Sequence, residues 1–180
     1  NIQKDLRTVA ISFGTKLFLE KYGIWKSISR YAQPINKIHV LNRNLKSKIL
    51  FDSINNNPMG YIIRHNVLKK KLIKKIISYK NIKIIDNVEI KKISANNHII
   101  SINIKDIVIN SKLLIASDGK NSFVKSFYKL PSYNIAYNQS ALVLNFQHSK
   151  DHKNTAFEIF LPNGPLATLP MKSFKKNIYK

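Results

Sequence analysis

Leu113-Leu114-Ile115-Ala116-Ser117-Asp118-Gly119 joins an apolar run to a carboxylate and a glycine, and it is the segment of this 180-residue chain best suited to chemistry. Four apolar residues running into a small residue and Asp-Gly predict a buried strand that stops at a tight turn. Gly119 permits a close backbone approach that a side chain would block. An ionised Asp118 only accepts hydrogen bonds, which suits ribose hydroxyls, and open α/β sheets bind ligands beyond the carboxyl ends of their strands. Asp-Gly by itself also fits an ordinary hairpin or loop turn.

Other chemistries find little footing. The five histidines show no metal spacing. His148 and His152 stand four apart, but Lys150, Asp151 and Lys153 make that segment an expected exposed loop rather than a metal site. The absence of cysteine excludes disulfides, thiolate zinc sites and a cysteine nucleophile, and it fits a reducing cytosol. No nucleophile–base constellation is visible.

The elements that must position these residues read as mixed α/β. Val9, Phe13, Leu17 and Tyr22 recur near helical spacing, so residues 8–22 are expected to form an amphipathic helix stopped by Gly23. Residues 36–41 and 47–51 alternate apolar with polar side chains as half-buried strands do, and Asn55-Asn56-Asn57-Pro58 closes them with a turn. From His65 to Tyr79, Val67, Leu68, Leu72, Ile76 and Ile77 mark one face of a helix with lysines opposite. Ile82–Ile85, Val88–Ile90, Ile99–Ile104 and Ile107–Ile109 predict a meander of short strands. Residues 121–128 predict a short helix ended by Pro131, and 139–147, 155–161 and 166–170 are strand-like.

Composition bounds the class. The 44% hydrophobic content is that of a globular protein, and 180 residues are enough for one domain or one and a half. No run approaches the roughly 18–20 apolar residues of a spanning helix, and no signal-peptide pattern is present. The formal net charge of +22 would draw polyanions or anionic headgroups. However, Lys, Ile and Asn, all encoded by A/T-rich codons, supply 76 of the 180 positions, and there are 27 Lys against only 4 Arg. Nucleic-acid readers rely on Arg for bidentate contacts, and these lysines are spread along the sequence, so no nucleic-acid partner is expected.

The order and spacing of several segments carry more. Arg7-Thr8-Val9-Ala10-Ile11-Ser12, Leu19-Glu20-Lys21-Tyr22-Gly23-Ile24-Trp25, Ile35-Asn36-Lys37-Ile38-His39-Val40 and Gly60-Tyr61-Ile62-Ile63 are followed by Ala116-Ser117-Asp118-Gly119 with Ser122, Val124 and Lys125. Tyr137–Val143, Thr155–Phe160 and Gly164-Pro165-Leu166-Ala167-Thr168-Leu169-Pro170 complete the series. This series resembles the FAD-dependent ubiquinone-biosynthesis hydroxylases, aromatic-ring monooxygenases of the 2-octaprenyl-6-methoxyphenol hydroxylase type, over nearly the whole chain. The Gly-rich G-x-G-x-x-G turn with which such enzymes hold a pyrophosphate is absent, as is their later Gly-Asp-Ala-type segment, so an internal fragment is expected.

The resemblance implies a partial FAD-binding, Rossmann-like domain (1–34 and 60–130) interleaved with an antiparallel substrate-domain sheet (35–59 and 131–180). It implies FAD and NAD(P)H as cofactors and a prenylated phenol as substrate. Asp118 and Gly119 would meet the flavin ribose. Arg7 would serve the adenosine or pyrophosphate end, the competing reading being a solvent-facing arginine. His65 and Asn66 would be flavin contacts or, equally, helix N-terminal caps. Gly164, Pro165, Leu169 and Pro170 would border the substrate pocket or form a rigid hairpin corner. Lys125 replaces the family's usual arginine, turning a fork into a point charge. The expected setting is cytoplasmic, peripheral on the cytoplasmic face of the inner membrane or in a ubiquinone-synthesis complex. The alternatives are a non-catalytic remnant of such an enzyme and, with less support, a basic module for RNA or a membrane surface.

Overall fold

The computed structural model describes Asp5, residues 7–42 and residues 47–173. They form two packing units, one from residues 1–82 with 141–180 and one from Lys83–Ser140. The architecture is mixed α/β with three small sheets.

The first unit opens with a strand, β1 (Thr8–Ser12), followed at once by α1 (Phe13–Lys21). The single helix expected over residues 8–22 is therefore corrected. Thr8 to Ser12 fit the 3.6-residue spacing only by coincidence, because the same residues pair antiparallel with β5 (Gly60–Arg64) from Thr8↔Arg64 to Ser12↔Gly60. Ser12 then serves both elements: it ends the strand and its Oγ accepts from the Thr15 amide at 3.1 Å as the N-cap. Gly23 does stop the helix. At φ +66° it donates to the Glu20 carbonyl while Ile24 donates to Leu19, the pair of bonds of a Schellman cap.

A short α2 (Trp25–Ile28) and a 3-10 turn at Ser29–Tyr31 lead to β2 (Gln33–Ile35). β2 completes a three-stranded sheet in the order β1-β5-β2. Across Asn36 the chain enters β3 (Lys37–Asn42), and β4 (Lys48–Asp52) returns antiparallel to it; both were expected as half-buried strands, but β4 carries Ile49-Leu50-Phe51 in succession and is exposed throughout. After β5 comes α3 (His65–Ile77), a helix as predicted, but Ile76 and Ile77, expected on its apolar face, are exposed at 37% and 66%. Its Val67, Leu68 and Leu72 pack on a core of Ile11, Leu19, Trp25, Ile28, Ala32 and Ile63.

The unit is closed by a hairpin of β9 (Thr155–Leu161) and β10 (Gly164–Thr168), which sets β10 two residues earlier than its expected 166–170. β9 runs parallel to β3, giving a four-stranded order β10-β9-β3-β4, so the expected antiparallel sheet contains one parallel pairing. Ile35, Ile62, Ala156 and Met171 form a second core joining the two sheets.

The second unit is a meander of β6 (Ile90–Ala95), β7 (Ile100–Ile104) and β8 (Ile107–Ser111), with a short α4 (Phe123–Phe127). Three expected strands are corrected here and at the unit boundary. Ile82–Ile85 lies outside any strand, and Leu113–Ala116 and residues 139–147 pair with none of the described strands. Leu113 is 71% exposed and Ile115 75%, where a buried strand was expected. An apolar run becomes a strand only when another strand offers it a ladder, because unpaired backbone amides and carbonyls are better satisfied in water. Among the described residues no helix is long and apolar enough to cross a membrane.

Candidate functional site

The β1/β5 register determines the polar end of the site. Because Thr8 faces Arg64 across the ladder, Arg7 comes beside His65, whose amide donates to the Arg7 carbonyl at 2.9 Å. Asp5 then ties them together. Arg7 Nε and one terminal nitrogen each donate to a different Asp5 oxygen at 2.8 Å, a bidentate fork, and His65 Nδ1 stands 2.9 Å from Asp5 Oδ2.

Electrostatics follow from this geometry. Hydrogen bonding from Arg7 is the largest influence on Asp5 and holds its carboxyl well below the usual carboxylate range, and the same pairing raises the Arg7 guanidinium. The Arg7 side chain is 76% exposed, so its remaining N–H groups face solvent. Asp5 was not anticipated from sequence. Its signal was the Asp-x-Arg spacing, which brings both side chains to the same side of an extended backbone.

His65 and Asn66 begin α3, and here the helix-cap reading is overturned. The capping position is Arg64, in extended conformation and with no side-chain cap bond, while His65 is already the first helical residue. Asn66 Oδ1 is buried and, among the described residues, has no hydrogen-bond partner. A buried acceptor without a donor is costly and points to a group that completes it.

Next to Arg7 in the chain, Thr8 lines an apolar groove of about 320 Å³ together with Leu142–Phe146, Pro165–Leu169 and Met171. Two of the four expected pocket residues, Pro165 and Leu169, are in its wall. Gly164 belongs instead to the β9–β10 corner, at φ +126° opposite Leu161, and Pro170 is fully buried beneath. The segment 142–146, whose Leu142, Val143, Leu144 and Phe146 supply much of the apolar lining, was expected as a strand and not as a wall.

Asp118 and Gly119 belong to the second unit. Asp118 Oδ2 accepts from the Phe123 amide at 2.7 Å and the Val124 amide at 3.4 Å, and Ser122 Oγ accepts from Lys125 at 3.0 Å. The carboxylate therefore sits at the start of α4. Hydrogen bonding from Ser122, then from these amides, lowers its pKa. Gly119 has φ +88°, and a Cβ there would meet nothing within 4 Å, so the space above it is open.

Comparison with known proteins shows what the chain is similar to. No protein-family model matches the chain. It is 26% identical over 209 residues to the mitochondrial ubiquinone biosynthesis monooxygenase COQ6 of Dictyostelium discoideum, covering 99% of this chain and 42% of that protein. It is 24% identical to the ubiquinone hydroxylase UbiL of Rhodospirillum rubrum, covering 97% and 41%. The chain is a distant homologue of the ubiquinone-biosynthesis monooxygenases. The human homologue in this group is 29% identical over 178 residues, covering 92% of this chain and 38% of itself. The chain thus spans about two fifths of the length of the ubiquinone-biosynthesis monooxygenases it matches. Two crystal structures share its fold. FqzB has a TM-score of 0.65 at 10% identity, covering 98% of this chain and 45% of its own, and the tetracycline destructase Tet(55) has 0.55 at 12%, covering 98% and 45%.

Proposed function

We propose that this chain forms part of an FAD-dependent, NAD(P)H-using monooxygenase that hydroxylates a prenylated phenol in ubiquinone biosynthesis. The observation that carries the reading is likeness across almost the whole chain to two ubiquinone-biosynthesis enzymes from different organisms.

The residues present suit the cofactor. Asn66 offers a buried carbonyl oxygen with no partner among the described residues, and Gly119 leaves open space where any other residue would place a Cβ. On this reading Arg7, His65 and Asn66 hold polar parts of the flavin, and Asp118 accepts from a ribose hydroxyl with the lone pairs its helix amides leave unused. Bound FAD, reduced by NAD(P)H, supplies the oxygen-activating chemistry. This chain's own work is then to orient, and to keep water from the reacting centre. The groove beside Thr8 receives the apolar substrate against Pro165 and Leu169, with Gly164 and Pro170 stiffening that wall from the corner and from below. Residues 1–34 and 60–130 serve the flavin, and 35–59 and 131–180 the substrate.

The sequence holds no Gly-rich turn for the pyrophosphate, so the 180-residue chain by itself is expected to bind FAD weakly or not at all. The test is to express the complete reading frame from the source genome, record its flavin absorbance, and assay NAD(P)H-dependent hydroxylation of a short-chain prenylated phenol. A yellow protein that forms hydroxylated product supports the proposal. A colourless protein overturns it in favour of a non-catalytic remnant.

A further inference from the structure

α3 carries the densest run of lysines among the described helices, five within the seven residues Lys69–Lys75. Between Asp52 and Asp86 there is no carboxylate, and α3 alone carries Lys69, Lys70, Lys71, Lys74 and Lys75. Among the described residues none of these lysines forms an ion pair with a carboxylate. The ammonium groups of Lys71 and Lys75 instead lie 5.6 Å and 5.1 Å from the ring centres of Tyr31 and Tyr79.

Helical spacing sorts them into two stripes. Lys71, Lys75 and Ser78, at i, i+4 and i+7, line a groove of about 260 Å³ with Lys74 and with Ser27 of α2. Lys70, Lys74 and Ile77 form the neighbouring stripe, and Ile77 is 66% exposed on it. Tyr79 and Ile82 follow, both also exposed. Val67, Leu68 and Leu72 are committed to the core, and Ile77, Tyr79 and Ile82 lie outside it.

We propose that this face of α3 docks the protein on an anionic phospholipid surface. The lysines around the groove, with the Ser27 and Ser78 hydroxyls, receive headgroup phosphates, while Ile77 and Tyr79 enter the interfacial layer. Charge and apolar exposure together decide for a bilayer over a purely ionic partner. An RNA backbone has use for the lysines but none for Ile77, whereas an interfacial helix needs both. Long lysine stems can lie along apolar surface while their ammonium groups reach the phosphates.

Vesicle sedimentation of the full 180-residue chain tests this, using phosphatidylglycerol mixed with phosphatidylcholine against phosphatidylcholine alone. Binding is expected to the anionic vesicles only. Each groove lysine removed should weaken it about five-fold, so the Lys71→Gln/Lys74→Gln/Lys75→Gln variant should lose roughly a hundred-fold. The control Lys91→Gln/Lys92→Gln/Lys112→Gln, with the same charge change elsewhere, should lose far less. Equal losses in the two variants overturn the proposal in favour of diffuse charge. Ile77→Asn should weaken vesicle binding about ten-fold and leave binding to a single-stranded RNA unchanged. If Ile77→Asn leaves vesicle binding unaltered, insertion is refuted and a general polyanion surface remains. These readouts need neither flavin nor turnover, so this inference and the proposed catalytic function can fail independently.

Discussion

His65 Nδ1 lies 2.9 Å from Asp5 Oδ2, on the carboxylate whose two oxygens also hold the guanidinium of Arg7. One acid thus joins the strand that begins the first sheet to the helix that follows its central strand. The Asp5 carboxyl is depressed in the folded protein, so the unfolded chain takes up its proton first as pH falls. Its stabilising contribution is complete above the ordinary carboxylate pKa of about 4 and is lost below it. Asp5→Asn should therefore be less stable than the parent at neutral pH, with the difference narrowing below about pH 4. Urea titrations of both proteins at neutral and acid pH check this, and a gap that widens on acidification would refute it.

Gly60 tests the central strand. A Cβ there would stand 2.7 Å from the Ile11 carbonyl oxygen, a backbone atom fixed by the β1/β5 ladder. Gly60→Ala should cost about 1–3 kcal/mol, the range for overpacking a rigid site. The measurement is the urea midpoint with an unchanged slope. An unmoved midpoint would show that the ladder gives way.

The two ends of α1 should fail separately. Ser12→Ala removes the Thr15 amide's acceptor and should cost about 1 kcal/mol. Gly23→Ala meets nothing within 4 Å, so its cost, about 1–2 kcal/mol, is the left-handed backbone alone. Because the sites share no partner, the double variant should show the sum. A large deviation from additivity in denaturant titrations would mean that the caps are coupled.

Asp118 can be tested in two settings. In this chain Asp118→Ala should raise hydrogen exchange at the Phe123 amide roughly five-fold, because that amide loses its 2.7 Å acceptor. In the complete flavoprotein the same change should also weaken FAD binding. Faster exchange with unaltered flavin affinity would leave Asp118 as a helix cap and remove it from the cofactor site.

Patterns that depend on one element's own faces were legible in the sequence. β3 alternates apolar with polar residues from Lys37 to Val40, and α3 places Val67, Leu68 and Leu72 on one face, so each was readable before any partner was known. Residues 8–12 were not, because Val9 and Ile11 fit a helix and a strand equally well and only pairing with Ile63 and Tyr61 decides. Of the candidate site, Arg7, His65, Pro165 and Leu169 were named from the family resemblance, whereas Asp5 and the Leu142–Phe146 wall went unseen because their surroundings arise from neighbours distant in sequence.

The sequence by itself determined the mixed α/β class, the helix stop at Gly23, the turn at Asn55-Asn56, and the resemblance to ubiquinone-biosynthesis hydroxylases. These rest on local backbone preference and on the order of short motifs. Tertiary structure alone decided that Asp5 gathers Arg7 and His65, that β9 runs parallel to β3, that Asp118 spends two hydrogen-bonding contacts on α4, and that Ile77 of α3 is left exposed. Each of those is a matter of distance between groups that chain order leaves unspecified, and hydrogen bonds and ion pairs act only once folding has brought their partners within about 3–4 Å.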